Sequence, residues 1–298
     1  MLLGKYKNGN YNVKIYSDGT KIRYNDLDNL TPDFPECIDL NISNKCFHGC
    51  KFCYQGCTPN GKEANLDFLM KLADEFHPFT EVACNINHFD LSKIEPFLKQ
   101  CRKRKVIVNV TVNQDEFMNH PEMLKYMTSD FETGYFNSIG ISLTDPSDEF
   151  INKIKGIDNI VIHTIAGVTS LDDYKKLYDN NFKVLILGYK TKGRGVNFKS
   201  IHPEIDNKIN ELGDNLKEMV KHFKVLSFDN LALNQLRLVE RDLIKNYDEF
   251  YMGDDGQYTF YIDAVNEKFY QSSLETNGFS CDNKTVDEMF DFIRNINV

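Results

Sequence analysis

The chain has 298 residues, 41% of them hydrophobic, and Lys plus Arg 35 against Asp plus Glu 44 give a net charge of −9. That acidic balance argues against an extended nucleic-acid surface or a grip on anionic membrane, and a chain this long buries roughly three quarters of its unfolded surface, so neither disulfides nor a metal is needed merely to fold. No stretch approaches the ~18 apolar residues of a membrane span, and Met1-Leu2-Leu3-Gly4-Lys5 runs at once into polar sequence. Neither a span nor a signal peptide is expected, and the expected location is the cytoplasm.

Tyr11-Asn12-Val13-Lys14-Ile15-Tyr16 and Thr20-Lys21-Ile22-Arg23-Tyr24 alternate on either side of Ser17-Asp18-Gly19, the pattern of a hairpin. A polar link with Pro32 and Pro35 leads into a strand, Cys37-Ile38-Asp39-Leu40-Asn41-Ile42. From there helices and strands alternate: helix 64–76, strand 81–85, helix 92–103, strand 106–112, helix 115–128, strand 138–143, a short helix near 147–154, strand 159–165, helix 170–180 and strand 183–188. Six strands separated by helices predict an α/β fold, a parallel sheet with right-handed crossovers curled into a complete or partial (β/α)6 TIM-like barrel. Residues 1–35 are then an N-terminal hairpin and linker, 36–196 the barrel core, and 197–298 an α+β extension packed on it. That extension reads as a long helix 203–222, a strand 224–228, a helix 231–245 capped by Asp229-Asn230, a hairpin of 258–265 and 267–271, and a terminal helix behind the capping box Thr285-Val286-Asp287-Glu288. Tyr258, Phe260, Tyr261, Phe269 and Tyr270 in that hairpin are placed to cover the barrel mouth or receive a substrate.

Chemistry concentrates just after the first strand of the series. Eight cysteines are present, and Cys46, Cys50, Cys53 and Cys57 crowd into one short stretch; in a reducing compartment such a cluster reads as metal-binding or catalytic rather than as a disulfide framework. Cys46-Phe47-His48-Gly49-Cys50-Lys51-Phe52-Cys53 spaces three thiols C-x3-C-x2-C. Thiolates are the ligands that iron–sulfur sites select, and both a closed zinc site and a [4Fe-4S] cubane ask for four ligands, so three cysteines leave one corner for something else. In a parallel α/β sheet the strand-to-helix loops carry the active site, which is where this loop falls.

With that placement the chain resembles the radical SAM superfamily over about residues 36–195. The resemblance implies a [4Fe-4S] cluster on Cys46, Cys50 and Cys53, with S-adenosylmethionine chelating the fourth iron. It further implies reductive cleavage to a 5′-deoxyadenosyl radical that takes hydrogen from a substrate, and an external flavodoxin- or ferredoxin-like electron donor. Phe52 matches the aromatic position near the adenine, or shields the cluster. The family's Gly-Gly-Glu at the end of the second strand is replaced by Val82-Ala83-Cys84-Asn85-Ile86-Asn87-His88, with Asn85 or Asn87 left to meet the methionine ammonium. Ser142 and Thr144 fall where members place polar groups against the ribose. Ile165, in His163-Thr164-Ile165-Ala166-Gly167, falls against adenine, as do Gly188 and Tyr189. The run Lys190-Thr191-Lys192-Gly193-Arg194-Gly195 offers Lys190, Lys192 and Arg194 as anchors for a substrate carboxylate or phosphate.

Cys84 is the one side chain placed to donate a hydrogen atom to a substrate radical, while Cys37, Cys57, Cys101 and Cys281 are scattered too widely for a second cluster. The basic run Cys101-Arg102-Lys103-Arg104-Lys105 falls at a helix end and complements its dipole. The chain also resembles a small subgroup of radical SAM proteins from bacterial and phage settings in its Asp-Gly-Thr-Lys hairpin, Phe34-Pro35-Glu36, Thr58-Pro59-Asn60-Gly61 and Ser227-Phe228-Asp229-Asn230-Leu231-Ala232. The expected function is therefore radical SAM modification of a peptide, protein side chain or nucleotide-like molecule. The alternative is a cluster-bearing binding or sensing protein on the same scaffold, and a structural zinc module is a third reading.

Overall fold

The structure, a computed structural model, describes residues 1–27, 29–128 and 131–296, so Asp28, Ser129, Asp130, Asn297 and Val298 lie outside the described residues. Two sheets organise them. The smaller joins β1 (Leu2–Asn8), β2 (Tyr11–Tyr16) and β3 (Lys21–Tyr24) in antiparallel order. The expected Asp-Gly turn is present, with Gly19 at φ +91° and Asp18 Oδ1 accepting from the Thr20 N–H at 3.0 Å. β1 has no counterpart in the sequence reading because Leu2-Leu3-Gly4-Lys5 does not alternate.

The larger sheet has ten strands: β4 (Cys37–Asn41), β5 (Glu81–Ile86), β6 (Ile107–Asn113), β7 (Ser138–Ser142), β8 (Ile160–Ile165), β9 (Lys183–Leu187), β10 (Val225–Phe228), β11 (Thr259–Asp263), β12 (Lys268–Tyr270) and β13 (Phe279–Ser280). Its order is β10-β9-β8-β7-β6-β5-β4-β11-β12-β13, parallel from β10 through β11 and antiparallel at β12 and β13. The predicted six-strand series is β4 to β9. The segment after residue 197, expected to pack on that core, instead lengthens the sheet at both ends, β10 pairing with β9 and β11 with β4. Among the described residues no backbone ladder joins the two ends. Loops bridge them instead: Asn230 Nδ2 donates to Gly253 O at 3.1 Å and Asp255 Oδ1 at 2.8 Å, and Lys190 Nζ reaches Ser273 Oγ at 2.7 Å.

Helices follow most strands and cover one face of the sheet, where Phe76, Phe97, Phe117, Phe150 and Tyr174 are fully buried. Each contributes about 1.5–3 kcal/mol of transfer free energy. Side chains of Asn65, Asn113, Ser147 and Ser170 cap the helices that begin after them, Ser170 in a capping box with Asp173. The terminal box forms as expected, Glu288 N–H donating to Thr285 Oγ1 and Thr285 N–H to Glu288 Oε2. Two helices are shorter than expected. Pro121 stops the one after β6 at Asn119 and starts a 3-10 turn, Pro121–Tyr126. The helix after β10 ends at Gln235, just before Arg237 takes a left-handed φ of 55°. A helix at Arg194–Ile201 has no sequence precedent, since a Gly-Arg-Gly start reads as loop. No helix among the described residues is long and apolar enough to cross a membrane.

The small sheet closes the end of the large one that carries the strand N-termini. Asn159 Nδ2 donates to Ser17 O at 2.9 Å, and Lys183 Nζ to Asp18 O at 3.3 Å. Lys21 Nζ lies 2.9 Å from Glu81 Oε1 and 3.1 Å from Glu36 Oε2, the latter contact ionic rather than a well-aligned hydrogen bond. The opposite end, where the strands finish, carries the cysteine loop.

Candidate active site

The loop leaving β4 is held at its stem by short backbone bonds. Asn44 N–H donates to Lys62 O at 2.8 Å, Cys46 N–H to Thr58 O at 2.9 Å, and Ala64 N–H to Ile42 O at 2.9 Å. Gly61 closes the Thr58-Pro59-Asn60-Gly61 turn, where a Cβ would come within 1.9 Å of Asn44 O. Cys46, Cys50 and Cys53 are all half-buried at its tip. Burial pushes the Cys50 thiol up, and nearby Cys53 and Cys46 push it further; a tight turn sets Cys53 beside Cys50, its N–H donating to Cys50 O at 3.2 Å. The Cys57 thiol beside it holds Cys53 below the ordinary thiol range, which favours its ligating form, while the Cys57 S–H donates to Gln55 Oε1 at 3.4 Å.

Among the described residues no three His, Cys, Asp or Glu side chains converge tightly enough for a single metal ion. A cubane does not ask for that convergence, since each thiolate takes a different iron. The donor set of three neighbouring thiols on one half-buried loop fits such a cluster.

Strand alternation decides which residues share this end of the fold. On β5, Val82, Cys84 and Ile86 are buried on the helix side while Glu81, Ala83 and Asn85 take the other face. Cys84 therefore lies in the helix–sheet core beside Cys101, its thiol pushed up to about 12 by burial, and it has no path to a substrate radical. The hydrogen-donor reading of Cys84 is corrected accordingly.

Asn85 faces the loop with both ends of its amide bonded to it, Oδ1 accepting from Ile42 N–H at 3.0 Å and Nδ2 donating to Ser43 O at 2.7 Å, so it secures the end of β4. Asn87 donates to Ser43 O at 2.7 Å and approaches Cys57 Sγ at 3.8 Å, which leaves its Oδ1 without a partner among the described residues. Of the two asparagines, Asn87 is the one whose amide oxygen has no partner among the described residues, and so the better acceptor for an ammonium group.

Ser142 ends β7 with its hydroxyl unengaged among the described residues, and Thr144 follows with its N–H held by Gln114 Oε1 at 2.8 Å. Ile165 closes β8 half-buried. Beside it, His163 packs its ring on Gly140, where a Cβ would meet it at 2.3 Å; burial lowers its pKa to about 4, so it is a neutral imidazole. Phe52 meets Phe198 edge-on, ring centroids 5.8 Å apart, as a packing contact on the helix Arg194–Ile201. Gly188 and Tyr189 depart from the adenine-facing reading. Gly188 N–H donates to Asp229 Oδ1 at 2.9 Å, and the Tyr189 N–H and C=O are both taken by the Gln235 amide at 2.8 and 2.9 Å. An adenine edge could use the Tyr189 N–H only by displacing Gln235.

The three cations of the 190–194 run all reach protein groups. Lys190, besides Ser273, lies 4.2 Å over the Tyr54 ring, Lys192 donates to Ser273 O and Glu275 O, and Arg194 donates to the carbonyls of Cys50 and Cys57. For Arg194 the anion-anchor reading is replaced by contact with the cysteine loop itself. The aromatic hairpin is mostly core: Phe260 packs on Phe290, Phe269 on Phe279 and Phe292, and Tyr258 on Tyr11.

Two features were not legible as site residues. Glu116, buried after β6, sets Oε2 3.3 Å from His48 Nε2 on the cysteine loop, and Oε1 3.3 Å from His88 Nδ1. Gln114 ties the loops after β6 and β7 through Thr144, Asp145 N–H and Asp145 O. Spacing to the next strand's loop was the only available signal, and a lone Gln or Glu at a helix start does not carry it.

No family model matches the sequence, and no curated protein matches it either. Among solved structures, Streptococcus suis SuiB bound to S-adenosylmethionine superposes with a TM-score of 0.54 at 12% identity, over 89% of this chain and 68% of that one. Dihydrodipicolinate synthase from Rhodopseudomonas palustris follows with a TM-score of 0.33 at 14% identity, over 77% of this chain and 81% of that one. Dihydropteroate synthase from Coxiella burnetii gives 0.28 at 12% identity, over 78% and 98%. The likeness to SuiB is one of fold: a mixed α/β architecture built on a large parallel sheet.

Proposed function

We propose that this chain is a radical SAM enzyme, with a [4Fe-4S] cluster held by Cys46, Cys50 and Cys53 and S-adenosylmethionine on the fourth iron. The observation that carries the reading is the position of three neighbouring, half-buried thiols on the loop that leaves β4, at the end of the sheet where the parallel strands finish. The SAM-bound neighbour of the same fold supports it. When bound, the cluster and the sulfonium together supply a one-electron bond cleavage that yields a radical able to take a hydrogen atom from substrate. The protein's part is position and exclusion of water. Asn87 Oδ1 is the acceptor for the methionine ammonium, a neutral substitute for the usual carboxylate and so without its charge assistance. Ser142 and Thr144 offer hydroxyls to the ribose and Ile165 an apolar surface to the adenine. The substrate is a peptide or protein side chain, or a nucleotide-like molecule, and the electron comes from a flavodoxin- or ferredoxin-like donor.

Anaerobic reconstitution tests this directly: iron and sulfide should bind, the EPR signal of the reduced protein should change when S-adenosylmethionine is added, and dithionite should release 5′-deoxyadenosine. An unchanged EPR signal sinks the enzyme reading. Asn87→Ala is expected to weaken S-adenosylmethionine binding roughly 10-fold, the worth of one hydrogen bond to a charged group, with iron content unchanged; equal affinity by equilibrium binding would remove Asn87 from the site.

A second reading is favoured by one specific feature, the Gln235 amide occupying the Tyr189 backbone. On that reading the chain is a cluster-bearing binding or sensing protein. It predicts a brown protein that yields no 5′-deoxyadenosine.

A further inference from the structure

Lys192-Gly193-Arg194-Gly195 lies directly on the backbone of the cysteine loop. Gly193 has φ +55°, and a Cβ there would come within 2.3 Å of Tyr54 O and 2.9 Å of Cys53 O. One on Gly195 would stand 3.5 Å from Phe52 O and 2.4 Å from Lys190 O. Between these glycines Arg194 turns three donors on the loop: its main-chain N–H to Cys53 O at 3.0 Å, Nε to Cys50 O at 2.9 Å and Nη1 to Cys57 O at 2.7 Å. Each acceptor is the carbonyl of a cysteine, two of them proposed ligands. The bonds are charge-assisted where the guanidinium donates, and its rigid fork holds two carbonyls at a fixed spacing that the single flexible ammonium of a lysine does not impose. The residue also begins the helix Arg194–Ile201, so the Cys53 carbonyl satisfies one of that helix's free N–H groups while the helix fixes the carbonyl.

We propose that Arg194 is a clasp on the cysteine loop: a positioning residue that holds the loop in a ligand-ready shape and sets a fixed positive charge beside the cluster, raising its reduction potential. The clasp itself follows from the contacts above; its effect on the potential rests on the cluster reading. Charge near the cluster and the arrangement of its surroundings are the protein's ordinary means of setting that potential.

Arg194→Gln and Arg194→Lys in the full chain separate these parts. In the metal-free protein, iodoacetamide labelling of Cys50, Cys53 and Cys57, followed by peptide mass spectrometry, should run roughly 10-fold faster in R194Q as the loop opens, with circular dichroism and Tm showing the fold intact. R194K should fall in between. In anaerobically reconstituted protein, R194Q should release iron to a chelator about 10-fold faster and titrate at a more negative midpoint potential. R194K should release iron faster than wild type but keep its potential. Labelling and release rates equal to wild type in both variants overturn the clasp. Faster release with an unmoved potential in R194Q overturns the electrostatic part alone. Should wild-type protein bind no iron, the cluster reading fails with it, and the labelling rates still decide the clasp. If R194Q does not fold, R194K decides through the same rates.

Discussion

Replacing Glu36 by alanine is expected to lower stability by about 3–5 kcal/mol, the usual consequence of breaking a buried ion pair from one side. Glu36 is 0% exposed and Lys21 only 4%, at the end of the sheet far from the cysteines. Glu36 Oε1 accepts from Arg23 Nε at 2.8 Å and from the Tyr11 hydroxyl, and Oε2 sits 3.1 Å from Lys21 Nζ. Without the carboxylate, Lys21 keeps only Glu81 and Arg23 loses its buried partner, so the small sheet docks mainly through Lys21–Glu81 and the Ser17 and Asp18 carbonyls.

The pH dependence follows with a definite sign. Burial raises the Glu36 pKa, but Lys21 and Arg23 outweigh it and leave the carboxyl below its ordinary value. Its contribution is therefore present above the unfolded carboxylate pKa of ~4.3 and is lost as pH falls through the folded one. Burial alone lowers the Lys21 pKa, yet Glu81 and Glu36 reverse that and raise it, so its contribution is full below ~10.4 and fades only above. Urea unfolding of wild type and Glu36→Ala across pH 3–8 checks both. Wild type should lose its advantage as the medium turns acid, and a loss under about 1 kcal/mol at pH 7, the size of a surface pair, would show the network to be dispensable.

The second large effect is at the cysteine loop. Cys50→Ala, or the same change at Cys46 or Cys53, is expected to abolish iron binding and to reduce S-adenosylmethionine cleavage by at least ~10³-fold, towards the uncatalysed background. The fold should persist, because the core does not depend on the metal. Cys57→Ala and Cys84→Ala are the discriminating partners, since the first thiol shares the loop but donates to Gln55 Oε1 and the second faces the helix layer. Both should retain iron. Loss of iron in Cys57→Ala would instead identify a four-cysteine site and close the open corner on which the catalytic reading depends.

Much of this was legible in the sequence because it is local. The period-2 runs of β2 and β3, the Asp-Gly turn, the apolar strands β4 to β9 and the Thr285–Glu288 capping box each follow from neighbours in the chain. What was not legible depends on partners far away. Nothing in Thr259–Asp263 announces that it pairs with β4, and an alternating run reads as a hairpin wherever it lies. Asn85 and Asn87 look equivalent in sequence; Ile42 and Ser43 decide that one is engaged and the other keeps a free oxygen. Arg194 reads as an anchor for a substrate anion because its acceptors are backbone carbonyls, which carry no sequence signal at all.

The parallel pairing of β4 with Thr259–Asp263 also bears on timing. Asn41 and Asp263, hydrogen-bonded at 3.0 Å, are 222 residues apart, so the strand that launches the cysteine loop gets its second neighbour only when most of the chain has been synthesised. Contacts of such long sequence separation form slowly. During translation the thiols emerge early on an unfinished strand, exposed to oxidation well before their pocket exists. On the cluster reading proposed above, the loop is ready to take iron and sulfide only after β11 has paired with β4.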